Sequence, residues 1–178
     1  MKKDVIKLML GIIVIIGIVL IVASISQLTS RGNILNSIAE WPDVMIKTLD
    51  GAEISTGQLQ SEKPILFNYF NSECIFCQAE IIDITDHNEL VRSANLIFIS
   101  DEKPEVIEKF LQHHRLNEHH RNLFLVDSEK ILRDFYGIRS VPATYIYDAD
   151  GQLVEFFRGM ISAETIYLQI VELNEGRK

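Results

Sequence analysis

The amino-acid sequence predicts an α/β fold in which helices flank a mixed central sheet. Short, uninterrupted apolar runs predict buried strands at residues 65–70 and 95–100, and a segment with helical apolar spacing follows each of them. Near the C-terminus, two strand-like runs are joined by a turn sequence at 148–151, which predicts an antiparallel hairpin. Strands that alternate with helices and then end in a hairpin and a helix are typical of a mixed α/β sheet.

The first half of the predicted domain begins with a hairpin and leads to a helix. Two short apolar runs flank Asp50-Gly51, a dipeptide that is typical of a tight hairpin turn. The buried strand at 65–70 comes next. After a few polar residues, a helical pattern begins at Cys74 and continues to about Asn88.

The second half of the chain continues the same alternation. Gly137 stands where a helix should end, because glycine readily adopts the left-handed conformation just past a helix C-terminus. The remaining predicted elements are a strand at 95–100, a helix at 104–114, a strand at 123–126, a helix at 131–136, strands at 143–147 and 153–158, and a helix after Ser162.

The N-terminal segment predicts a membrane anchor. Residues 8–23 are apolar without interruption, and residues 24–28 extend the run to about 20 residues, the length that crosses the hydrocarbon core. Basic residues precede the run, at Lys2, Lys3 and Lys7, so the positive-inside rule places the N-terminus in the cytoplasm and the remainder outside. The run is longer than the apolar region of a typical signal peptide, but small residues near its end keep cleavage as the alternative.

The predicted organisation has three parts. The first, at 1–30, is a cytoplasmic stub with a transmembrane anchor or uncleaved signal, and its residues 8–28 contact the bilayer. A tether at 31–40 and one folded domain at 41–178 follow. With 17 basic and 25 acidic residues, the chain has a formal net charge of −8. Such an acidic balance argues against nucleic acid as a partner.

The chain has two cysteines, Cys74 and Cys77, and they form a C-x-x-C pair where a predicted strand gives way to a helix. Unpaired backbone N–H groups and the helix dipole favour a thiolate at the first turn of a helix. Two sulfurs at this spacing can close into a disulfide and reopen, which passes two electrons to a partner without a cofactor. Half of a zinc site is the alternative, but zinc requires four ligands, and the histidine cluster at 113–120 does not match finger spacing.

These motifs resemble the thioredoxin fold over about residues 41–174, and in detail the membrane-anchored TlpA-like and ResA-like thiol-disulfide oxidoreductases. The matching features are the strand at 65–70 before Cys74-Ile75-Phe76-Cys77, Glu80 three residues later, the segment 136–144 with Val141-Pro142, and the turn at 148–151. Two positions depart from the family pattern: Glu73 stands where tryptophan is common, and Ile82 where proline is usual. Substrate docking and redox tuning are therefore not carried over from the resemblance.

The resemblance implies catalytic roles for three residues. Cys74 is the attacking nucleophile, and Cys77, one turn into the helix, resolves the mixed disulfide. Glu80 lies one further turn along, so its carboxyl group can share the Cys77 face of the helix and exchange a proton with the thiol. An ordinary exposed glutamate is the alternative for Glu80. Asn68 stands where other branches place a buried acid, which shifts the duty of proton transfer towards Glu80.

Three other residues are expected to contact a substrate. The resemblance implies a cis peptide bond between Val141 and Pro142, which would set the backbone of Val141 beside the sulfurs. Phe76, between the two cysteines, offers an apolar contact. The negative charge of Glu73 beside Cys74 opposes the thiolate and predicts a more reducing site.

The sequence thus predicts a single-pass protein of the bacterial inner membrane whose periplasmic or extracytoplasmic domain reduces disulfides. The expected partners are disulfide-containing extracytoplasmic proteins, with apocytochrome c among them by resemblance to ResA, and a membrane electron donor. No metal or other cofactor is predicted. Two alternatives belong to other classes: a copper-binding metallochaperone, which typically has a longer cysteine spacing, and a redoxin-type peroxidase, in which threonine occupies the position of Asn71.

Overall fold

The computed structural model describes residues 15–19, 38–116, 118–121 and 123–175. The chain divides into two units, one that ends at Ser37 and one that begins at Ile38. Residues 15–19 are helical, and the rest of the predicted anchor at 8–28, with most of the tether at 31–40, lies outside the described residues. Among the described residues, no helix combines the length and the apolar character needed to cross a membrane.

In the described part of the chain, seven strands form one mixed sheet, which confirms the predicted α/β class. The strands are β1 Met45–Thr48, β2 Glu53–Ser55, β3 Ile65–Tyr69, β4 Asn95–Ser100, β5 Phe124–Val126, β6 Ala143–Tyr147 and β7 Leu153–Arg158. Their order in the sheet is β2-β1-β5-β4-β3-β6-β7. Strands β3, β4 and β5 are parallel to one another, whereas the other pairings are antiparallel.

Helical segments cover both faces of this sheet. They are α1 Ile75–Asp86, α2 Asn88–Ser93, α3 Pro104–His113, α4 Glu118–Arg121, α5 Ile131–Phe135 and α6 Ala163–Glu175, with a 3-10 turn at Thr56–Leu59. The helix predicted from Cys74 to about Asn88 is confirmed as α1, whereas the short helix α2 has no counterpart in the prediction. The backbone of His87 is extended, with φ −84° and ψ 91°, so α1 ends there. The His87 ring then accepts a hydrogen bond from the backbone N–H of Leu90 at 3.2 Å and caps α2.

Strand β3 is buried on both faces because it lies between β4 and β6 with a hydrophobic cluster on each side. Side chains alternate between the two faces along a strand. Phe67 accordingly enters the cluster that contains Trp41 and Tyr136, whereas Leu66 packs in the opposite cluster with residues of α1, α3 and α6. The next residue on the α1 face is Asn68, so strand periodicity places a polar side chain beneath the helix that follows Cys74.

The register of β3 against β6 brings two distant segments to one edge of the sheet. Tyr69, the last residue of β3, is paired with Ala143, the first residue of the antiparallel strand β6. The chain leaving β3 leads directly to Cys74, and the chain entering β6 contains Val141-Pro142. The two motifs that the sequence singles out are therefore neighbours in the fold.

Candidate functional site

Cys74 lies at the N-cap of α1, immediately before its first helical residue. Its backbone is extended, with φ −78° and ψ 111°, as is usual for a capping residue. The backbone N–H of Cys77 donates to the Cys74 sulfur at 3.3 Å, so Sγ occupies the place that a serine or aspartate oxygen takes at other helix starts. An N–H group aimed at a sulfur in this way stabilises negative charge on it.

The segment before β6 closes the site on the other side of Cys74. The peptide bond between Val141 and Pro142 is cis, and Pro142 is buried. The Cys74 thiol lies 3.9 Å from the carbonyl oxygen of Val141, within reach of a sulfur hydrogen bond. The Pro142 carbonyl accepts a hydrogen bond from the backbone N–H of Gly159 at 2.9 Å, which ties this turn to the end of β7. Val141, Pro142 and the attacking cysteine predicted from the sequence are thus brought together.

Cys77 is fully buried beneath the half-buried Cys74. Burial is the largest influence on this thiol and raises its pKa well above the ordinary range, and the neighbouring Cys74 and the Glu80 carboxyl group act in the same direction. A thiol in this environment is protonated at neutral pH. It therefore needs a proton acceptor nearby before it can attack a disulfide.

Glu80 is fully buried on the same helix, so the alternative of an ordinary exposed glutamate is wrong. One carboxyl oxygen accepts hydrogen bonds from Asn68 Nδ2 at 2.9 Å and Thr144 Oγ1 at 2.5 Å. The other oxygen accepts from the backbone N–H of Ile161 at 3.2 Å. Burial raises the pKa of Glu80 to about 7, against the opposing influence of these three hydrogen bonds. Glu80 can therefore both accept and donate a proton near neutral pH.

Thr144 is the member of this network that sequence reasoning missed. It is directly paired with Asn68 across β3 and β6, and Asn68 Nδ2 also donates to Thr144 Oγ1 at 2.7 Å. The position follows from the strand register, because a residue opposite Asn68 must share its face of the sheet. Asn68 Oδ1 is buried and finds no hydrogen-bond partner among the described residues.

Three large apolar side chains are exposed next to the cysteines in sequence or next to residues that contact the site. Phe76 is 58% exposed and Ile75 is 69% exposed, although both follow directly on Cys74 at the start of α1. Met160, which is 49% exposed, lies between Gly159 and Ile161, the residues that bond Pro142 and Glu80. Large apolar side chains left in solvent beside a reactive group are typical of a docking surface for another protein.

The structure does not assemble a metal site from the residues it describes. No group of three or more histidine, cysteine, aspartate or glutamate side chains is placed to hold an ion there. Within the segment 113–120, the rings of His113 and His114 lie 4.9 Å apart, and burial lowers the pKa of His114. Part of that segment lies outside the described residues.

The chain is similar in sequence to known redox proteins. Residues 39–156 match the sequence model of the AhpC/TSA family. The chain is 25% identical over 114 residues to the thiol-disulfide oxidoreductase YkuV of Bacillus subtilis, an alignment that covers 60% of this chain and 74% of YkuV.

Two solved structures show a similar fold. StoA from Bacillus subtilis gives a TM-score of 0.58 at 19% identity, covering 74% of this chain and 98% of StoA. The peroxidoxin BcpB from Mycobacterium tuberculosis gives 0.63 at 16% identity, covering 76% of this chain and 94% of BcpB. These similarities confirm the expected thioredoxin-like fold. Because a peroxidoxin has a similar fold, the fold alone does not identify the reaction, which has to be inferred from the site.

Proposed function

Because the chain belongs to the AhpC/TSA family and is a thioredoxin-like thiol-disulfide oxidoreductase, we propose that it reduces disulfide bonds in partner proteins through Cys74 and Cys77. One observation carries the proposal: Cys74 Sγ receives the N–H of Cys77 at 3.3 Å and lies beside the Val141 carbonyl. The Cys74 sulfur is half-buried and can be reached by a partner, whereas the Cys77 sulfur is buried in the core.

In the first step, the Cys74 thiolate attacks one sulfur of the partner disulfide. A mixed disulfide forms between Cys74 and the partner, and the partner's other sulfur leaves as a thiolate and takes up a proton. The backbone of Val141 is proposed to hold the partner chain in an extended conformation, and Phe76 gives it an apolar contact.

In the second step, Cys77 resolves the mixed disulfide. The Glu80 carboxylate takes the Cys77 proton, and the resulting thiolate attacks Cys74 Sγ. The Cys74–Cys77 disulfide forms, and the partner leaves with two thiols, having gained two electrons and two protons in all. The proton held by Glu80 goes to the departing sulfur or to solvent.

The oxidised enzyme must then be reduced again. We propose a membrane electron donor for this step, because the apolar run at residues 8–28 and the lysines before it predict a domain outside the cytoplasm. The proposed location is the bacterial inner membrane, with the domain on its periplasmic or outer side. Disulfide-containing extracytoplasmic proteins are the proposed substrates, and apocytochrome c is included by resemblance to ResA.

The proposed function is tested by trapping the mixed disulfide. The variant Cys77→Ser keeps the attacking sulfur but lacks the resolving one, so it is expected to accumulate a covalent adduct with an oxidised extracytoplasmic extract. Gel electrophoresis without reductant should show adducts that dithiothreitol releases.

The matched control is Cys74→Ser, which keeps the buried sulfur and should form no adduct, because Cys77 is fully buried. Equal trapping by both variants, or trapping by Cys74→Ser alone, would contradict the assignment of Cys74 as the attacking residue.

A further inference from the structure

The segment that joins β3 to Cys74 has its backbone fixed by hydrogen bonds. The N–H of Phe70 donates to the carbonyl of Ile99, which extends the pairing of β3 with β4 by one residue. The N–H of Glu73 donates to Asn71 Oδ1 at 3.0 Å, and the N–H of Cys74 donates to the Asn71 carbonyl at 3.1 Å. Between these contacts lies Ser72, two residues before the cysteine.

Ser72 is held by a carboxylate from another part of the chain. Its N–H donates to Glu102 Oε2 at 2.7 Å, and its hydroxyl donates to Glu102 Oε1 at 2.7 Å. Glu102 is partly buried just beyond β4, and its Oε2 also accepts from the Ser100 hydroxyl at 3.0 Å. The Ser100 hydroxyl in turn accepts from the Glu102 N–H at 3.2 Å.

The opposite side of Ser72 is bound by α1. Gln78 Nε2 donates to the Ser72 carbonyl at 2.7 Å, and the Gln78 N–H donates to the Cys74 carbonyl at 3.0 Å. Both backbone groups of Ser72 are therefore occupied, one by the segment after β4 and one by the helix that follows the cysteine.

We propose that Glu102 is a positioning residue for the nucleophile: it fixes Ser72 so that Cys74 Sγ is held at the helix start and beside Val141. This inference rests on the proposed function, in which Cys74 is the attacking sulfur. The physical reason is that Sγ must meet the N–H of Cys77 and an incoming sulfur at once, and a misplacement of about 1 Å can cost on the order of a hundredfold in rate. Glu102 acts through Ser72 and does not touch the reacting atoms.

The test measures the attack of Cys74 alone. All variants are made in the full-length Cys77→Ser chain, and the second-order rate of reaction with the small disulfide 5,5′-dithiobis(2-nitrobenzoate) is followed from the thiolate released. Glu102→Ala is expected to react about tenfold more slowly, and Ser72→Ala, which keeps its peptide N–H, about threefold more slowly. Because Glu102 and Ser72 act as one unit, the double variant with both substitutions should react about as slowly as Glu102→Ala alone.

Two further variants separate positioning from other effects. Glu102→Gln can still accept the Ser72 N–H without carrying charge, so it should react within about twofold of the unsubstituted residue. Glu105→Ala, at an exposed position on α3, should leave the rate unchanged.

The proposal is overturned by an unchanged rate in Glu102→Ala, or by effects of Glu102→Ala and Ser72→Ala that multiply. A rate in Glu102→Gln as low as in Glu102→Ala would also overturn it, because the charge would then be the cause. If Glu102→Ala does not fold, an unchanged rate in Ser72→Ala overturns it alone. Failure of the proposed function would look different: the Cys77→Ser chain, which keeps only Cys74, and a separate chain with Cys74→Ser alone, which keeps only Cys77, would react equally fast.

Discussion

Replacing Cys74 with serine is expected to lower the rate of protein disulfide reduction by about a thousandfold or more. Removing the nucleophile of a covalent mechanism removes the reaction path itself, and a serine hydroxyl does not ionise at neutral pH. The rate is measured as thiols released from an oxidised protein substrate, with dithiothreitol regenerating the enzyme.

The matched control for this variant is its stability. Cys74 is half-buried and a serine oxygen can still accept the N–H of Cys77 as a helix cap, so the unfolding midpoint should change little. Retention of more than about a tenth of the activity by a folded Cys74→Ser chain would contradict the proposed mechanism.

Replacing Glu80 with glutamine is expected to slow the resolving step by about a hundredfold at pH 8. The step needs Glu80 as a carboxylate, the form that predominates above its pKa of about 7, to take the proton of buried Cys77. In the wild-type chain, the resolving rate should therefore rise with pH through about 7 and level off above it. The decay of a preformed mixed disulfide, followed by rapid mixing and acid quenching from pH 5 to 9, measures this rate.

Glutamine preserves the size of Glu80, but its single oxygen can accept either from Asn68 and Thr144 or from the Ile161 N–H, not from both sides, and it has no proton to exchange near neutral pH. The rise through about pH 7 should therefore disappear in Glu80→Gln and persist in the control Glu105→Gln on the surface of α3. A midpoint near pH 7 that survives in Glu80→Gln would assign the titration to another group.

The sequence predicts the elements of this fold well because their signals are local. The boundaries of β4, β6 and β7 agree with the predicted runs at 95–100, 143–147 and 153–158. The short helix α2 is absent from the prediction, because its start depends on the extended backbone of His87 and on its ring acting as a cap. Neither feature has a characteristic sequence pattern.

In the candidate site, local sequence patterns identify some residues, whereas others are recognised only from contacts between distant parts of the chain. Cys74 and Cys77 can be identified from the sequence because two cysteines at C-x-x-C spacing can form and break a disulfide with each other. Thr144 bonds Glu80 across 64 residues of chain, and Glu102 bonds Ser72 across 30. Such partners are fixed by strand order and register, which local patterns do not specify. The anchor at residues 8–28 stays a prediction of the sequence.

The reduction potential of the Cys74–Cys77 pair tests the central claim most directly. The full-length chain is equilibrated with dithiothreitol and glutathione buffers, and the fraction of free thiols is measured by alkylation. If the protein is a reductant that receives its electrons from a membrane donor, its reduction potential should be near or below about −250 mV, close to that of thioredoxin. A value near about −120 mV would be that of an oxidase that makes disulfides, and it would contradict the proposed direction of electron flow.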